Sequence, residues 1–73
     1  MTGSQQYEFR VRGQLGAKML RAFPALRART RDGDTVLTGQ LPDQAALYGV
    51  IAKVEALGLE LLELRRLPGR GGE

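Results

Sequence analysis

Apolar and polar residues alternate along "YEFRVR": Tyr7, Phe9 and Val11 fall on one side, Glu8, Arg10 and Arg12 on the other. A period of two is the mark of a strand with one buried face. After Gly13 the period lengthens. In "LGAKMLRAF" the residues Leu15, Met19, Ala22 and Phe23 recur at helical spacing. Pro24 disfavours helical geometry at Phe23 and predicts the end of this short helix there. "LRARTR" and "TVLTG" then flank Asp32-Gly33, a dipeptide suited to the positive φ angles of a two-residue hairpin turn. Such a turn sets Leu37 inward with Ala28, whereas a longer loop through Asp34 sets Val36 inward, and the pattern leaves both registers open.

"PDQAALYGVIAKVEALG" carries the strongest periodicity. Leu47, Val50, Ile51, Val54 and Leu57 repeat as i, i+3, i+4, i+7 and i+10, an apolar stripe along one helix. Pro42 and Asp43 suit its first turn, and Gly58 its C-terminal cap. "LELLELRRL" reads as a last strand, with Leu62 and Leu64 toward the core and Glu63 and Arg65 outward. Residues 1–6 and 68–73 read as flexible ends around a domain over 7–67. The order β-α-β-β-α-β predicts an α+β, ferredoxin-like sandwich. Its four-stranded antiparallel sheet has the order 4-1-3-2, with two helices on one face.

Composition narrows the chemistry. At 73 residues, the chain is near the lower size limit for folding without staples, and it has neither cysteine nor histidine. Thiolate and imidazole chemistry are therefore excluded, and neither a metal nor a cofactor is expected. The eight carboxylates form no evident acid–base pair, so an enzyme is not expected. "MTGSQQ" lacks the layout of a signal peptide, and no apolar run approaches the ~20 residues that cross a bilayer. A soluble cytoplasmic location is the expectation, with no membrane partner. The wealth of Ala, Gly, Leu and Arg fits a small bacterial protein written by a GC-rich genome.

The formal charge is +3, with nine arginines against Lys18 and Lys53. The predicted fold leaves one sheet face open, and Arg10, Arg12, Arg27, Arg29, Arg31 and Arg65 lie on it as a candidate face for an anion or partner. RNA is a runner-up there, because one ferredoxin-like class reads single strands on this face. That class stacks bases on exposed aromatic rings, and here Tyr7 and Phe9 share the core side of Val11. A solvated face is the plainer expectation. Changing Arg10, Arg27 and Arg29 to glutamine should then cost less than about 1 kcal/mol.

Gly13 and Gly16 flank the passage from first strand to first helix, where unpaired N–H groups could hold an anion. From there, Val11–Gly13–Leu15–Gly16 and "MLRAF", followed by "DTVLTGQLPDQAALYGVIAKVEALGLELLELRRL", resemble the ACT-type regulatory domains over roughly residues 7–67. The resemblance implies a non-enzymatic regulatory or interaction module. It also implies a small anionic or amino-acid ligand at the turn formed by Gly13, Gln14, Leu15 and Gly16. The acidic residue common before the family's glycine and the Asn-Ile entry of its second strand are replaced here. A second likeness, to BON-type modules, covers only residues 28–66.

The long helix carries a further face of small residues, Ala45, Gly49, Ala52 and Ala56, with Tyr48 among them. Small residues permit close helix approach. The first helix of the same chain is one candidate neighbour and a second copy is the other. A homodimer is the expected assembly, alongside a protein partner or small-molecule ligand, and nucleic acid ranks behind these. A further alternative is an accessory subunit of an enzyme.

Overall fold

The computed structural model describes residues 4–68. Its elements are β1 (Gln5–Val11), α1 (Ala17–Leu20), β2 (Arg27–Arg31), β3 (Asp34–Leu41), α2 (Gln44–Ala56) and β4 (Leu61–Leu67). The strands form one antiparallel sheet in the order β2-β3-β1-β4, the predicted order read from the other edge. β1 starts at Gln5, so Gln5 and Gln6 belong to the sheet and not to a loose end. Residues 1–3 and 69–73 of the expected flexible ends lie outside the described residues.

The hairpin takes the two-residue turn. Asp32 and Gly33 both adopt positive φ, 52° and 84°, and Arg31 pairs with Asp34. Ala28 therefore opposes Leu37, which opposes Phe9 in turn. Phe9, Val11, Leu37 and Leu41 pack on this face with Phe23 and with Leu47 and Val54 of α2. Leu20, Val50 and Ile51 join them half-buried, so both helical segments contribute to one core. Val36 is fully buried as well, on the opposite face. It lies between Arg10 and Arg29 across the strands, and their aliphatic stems shield it from water.

The ends of α2 follow the local chemistry. Asp43 is the N-cap and accepts from the Ala46 N–H at 2.9 Å. Gly58, at φ 75°, closes the helix. Its N–H donates to Glu55 O, and the Leu59 N–H donates to Val54 O, the bond pair of a Schellman cap. Leu59 and Val54 both contribute to the core, as that motif favours.

Three expectations are corrected. α1 spans four residues, not the whole of "LGAKMLRAF". Gly16 supplies no side-chain cap, and the following bonds from Ala22 and Phe23 tighten to i→i−3 before Pro24. A helix that short does not roof the edge of the sheet, and every residue of β2 is exposed, Ala28 included. Leu62 and Leu64 are also exposed, and Leu61 is the half-buried residue packed on the core. For Leu62 the cause is a bulge, and for Leu64 the edge position of β4. Arg10 opposes Glu63 but Val11 opposes Leu61, so Leu62 is the extra residue, while Leu64 opposes Phe9 on the outer strand. Leu57, placed on the apolar stripe by its spacing, is exposed at the C-cap of α2.

Candidate interaction surfaces

The β1–α1 turn is held by the start of β3. Gly13, at φ 82°, donates its N–H to Asp34 Oδ1 at 2.9 Å. Asp34 Oδ2 accepts from Arg10 Nη2 at 2.9 Å and from Arg10 Nε at 3.2 Å. Thr35 is buried; its hydroxyl donates to Gly13 O at 2.7 Å and accepts from the Leu15 N–H at 3.2 Å. The Gly13 N–H, and secondarily Arg10, hold the Asp34 carboxyl below its ordinary range. Two of the amides expected to greet an anion therefore already bond to side chains of the chain itself. An anion that used the Gly13 N–H would have to displace the Asp34 carboxylate from it. Gly16 has an ordinary φ of −74°, and nothing lies within 4 Å of where a Cβ would stand. Gln14 and Leu15 sit between, and α1 offers a single turn of helix dipole.

The register gathers Arg10, Arg27, Arg29, Arg31 and Arg65 on the open face with Glu8, Asp34 and Glu63. Glu8, nearly buried in the middle, lies 3.9 Å from Arg29 and 3.8 Å from Arg65. Arg10 is committed to Asp34, not to the Glu63 across from it. Arg65 also approaches Glu63 at 3.9 Å. Arg12 stands past the end of β1 in an exposed pair with Glu60 at 2.8 Å. That hydrogen bond, reinforced by the Glu60 charge, raises the Arg12 pKa above its ordinary value. Among the described residues, Arg27 and Arg31 have no carboxylate within 4 Å. The face is thus a mostly compensated charge array with its surplus on the β2 edge.

The third surface is on α2 and β4. Ala45, Tyr48, Gly49, Ala52 and Ala56 are all exposed, so α1 does not cover this face. Tyr48 is 60 % exposed. Among the described residues, the other large apolar side chains left in water are Leu57, Leu62 and Leu64, on the C-cap of α2 and on β4. No helix among the described residues is long and apolar enough to cross a membrane.

Sequence reasoning missed two features. One is the clasp of Asp34 and Thr35 on the Gly13 turn, hidden because "DGDT" reads first as a turn tip. The other is an apolar groove between α2 and the connector Phe23–Leu26, which no periodicity announces. No curated protein and no solved structure matches this chain. Residues 6–65 match the family model described as a domain of unknown function (DUF8691), which spans both helices and all of the sheet but Gln5, Arg66 and Leu67, and the chain belongs to that family.

Proposed function

We propose that this chain is a non-enzymatic interaction module, ferredoxin-like in fold and ACT-like in type, that pairs with a second copy in the cytoplasm through α2 and β4. The observation that carries this reading is where the exposed large apolar side chains lie. Tyr48, Leu57, Leu62 and Leu64 sit on α2 and β4, while the opposite edge strand β2 presents Arg27, Arg29 and Arg31. Arginine on one edge disfavours edge-to-edge pairing there. A chain this small gains stability by covering the apolar side with a copy of itself. The non-enzymatic reading is supported by the clasp, since the Asp34 carboxylate and the buried Thr35 hydroxyl are spent on holding a turn.

Light scattering at tens of micromolar tests the pairing. The expected mass is about twice the 8.0 kDa of one chain, and Leu64→Arg combined with Tyr48→Glu should return the monomer mass with native circular dichroism. A monomer mass for the unaltered chain overturns the reading. A second reading, weak binding of single-stranded nucleic acid, is favoured by Arg27 and Arg31, which lack carboxylate partners among the described residues. It ranks lower because Glu8 and Asp34 offset the other arginines and no ring is exposed on that face. Micromolar binding to single-stranded RNA at about 150 mM salt, lost on changing Arg27 and Arg31 to glutamine, would reverse the order.

A further inference from the structure

We infer that the groove between α2 and the α1–β2 connector is a binding site for a small amphipathic carboxylate, an alkyl chain ending in one carboxylate. The groove encloses about 370 Å³, within the range of small-molecule sites. Phe23, Leu26, Leu41 and Val50 are among its walls, and its polar lining residues are Gln40 and Lys53 alone. That is the ordinary make-up of a ligand site: apolar walls with very few polar groups to set orientation.

Lys53 supplies the charge. Its Nζ donates to Ala22 O at 2.9 Å, which ties α2 to the connector and holds the ammonium beside the groove. An ammonium has three N–H donors, so this bond leaves two. Among the described residues no carboxylate lies within 4 Å of Lys53. A cation without a counter-ion, next to an apolar hollow, complements a molecule with an apolar body and an anionic end.

Gly49 is the second, independent observation. Glycine is the poorest helix former after proline, yet it stands in the middle of α2. Nothing lies within 4 Å of where its Cβ would be, so this chain's own packing does not require it. Its place in the groove lining accounts for it: the missing side chain keeps the hollow open between Lys53 and the Phe23–Leu26 wall.

The test is a titration of the full chain with octanoate below its micellar concentration, followed by amide chemical shifts. Octan-1-ol and octylammonium serve as neutral and reversed-charge controls. The expected result is saturable octanoate binding, with shifts at Ala22, Phe23, Ala25, Leu26, Leu41, Ala46, Gly49 and Val50. Lys53→Met, which keeps an apolar stem, should weaken octanoate by about tenfold and leave octan-1-ol unchanged. Gly49→Leu should abolish binding of both, whereas the helix content stays native. The inference is overturned by any of four results: no saturable octanoate binding, octylammonium binding as tightly, binding that survives Gly49→Leu, or shifts centred on Gly13–Gly16 or the open sheet. Light scattering on the same samples separates this site from self-association, because octanoate binding by a monomer sinks only the pairing.

Discussion

Gly39→Ala should destabilise the fold for a steric reason that the sequence does not show. Gly39 is in β3, opposite Tyr7, without the positive φ that would make glycine obligatory. An added Cβ would stand 2.6 Å from the backbone oxygen of Ala25, 2.6 Å from Leu26 Cδ2 and 3.3 Å from Leu26 Cα. The Leu26 tip can rotate away, but the Ala25 carbonyl belongs to the connector and must move as a unit. Reaching ordinary contact at 3.4 Å requires a shift of about 0.8 Å. Leu26 packs half-buried on the core, so that shift also loosens the seal over β3. Overpacking of this kind costs about 1–3 kcal/mol. Replacing glycine in a strand returns about 0.5–1 kcal/mol of backbone entropy. The net loss is centred on about 1 kcal/mol and reaches at most about 2.5 kcal/mol, and Tm should fall by roughly 4–8 °C per kcal/mol for a domain of this size. Urea and thermal unfolding followed by circular dichroism measure it, with an unchanged urea m-value showing that the denatured state is not the cause. Gly49→Ala is the matched opposite: an exposed helix position with open space, expected to gain about 1 kcal/mol. A Gly39→Ala midpoint equal to or above the parent's would refute the close approach of the connector.

Three further outcomes are expected. Thr35→Val keeps the shape but leaves the Leu15 N–H and the Gly13 carbonyl without their partner, so urea unfolding should report a loss of about 1–3 kcal/mol and hydrogen exchange at Leu15 should quicken. The Asp34 carboxyl is held below its ordinary pKa of about 3.9 by the Gly13 N–H and then Arg10. Its contribution is therefore complete above about pH 4 and is lost as pH falls through the lowered folded value; Asp34→Asn, weaker at neutral pH, should lose less than the parent on acidification, and parallel acid curves would disprove the linkage. The arginines should separate: changing Arg27 and Arg31 to glutamine should shift stability by less than about 0.5 kcal/mol, whereas Arg10→Gln should cost visibly more, because it leaves Asp34 with the Gly13 N–H alone and shortens the stem beside Val36.

The open question of the hairpin register shows where pattern reading stops. Val36 and Leu37 are both apolar, and both are buried. The register was therefore undecidable from hydrophobicity, and the two-residue turn at Asp32-Gly33 settled it. Likewise "GQLG" looked like an anion site because glycines before a helix expose N–H groups. The carboxylate and hydroxyl that engage Gly13 and Leu15 lie 20 to 22 residues further along the chain. Only the pairing of β1 with β3 brings them together.

What the sequence by itself determined was the kind and order of the elements. Period, turn chemistry and caps are local properties: alternation over Tyr7–Val11, Asp32-Gly33 at the hairpin, Asp43 and Gly58 at the ends of α2. The strand order followed from these because short connections and antiparallel pairing leave few topologies. Tertiary structure alone decided the extent of α1, the bulge that turned Leu62 outward, the burial of Val36 under Arg10 and Arg29, and the groove beside Lys53. Each depends on which segments meet across the sheet, and a side chain's exposure is set by that meeting. Leu61, Leu62 and Leu64 are chemically alike: the register puts Leu61 opposite Val11 and Leu64 opposite Phe9, leaves Leu62 unpaired in the bulge, and the edge position of β4 leaves Leu64 exposed although it shares the face of Phe9.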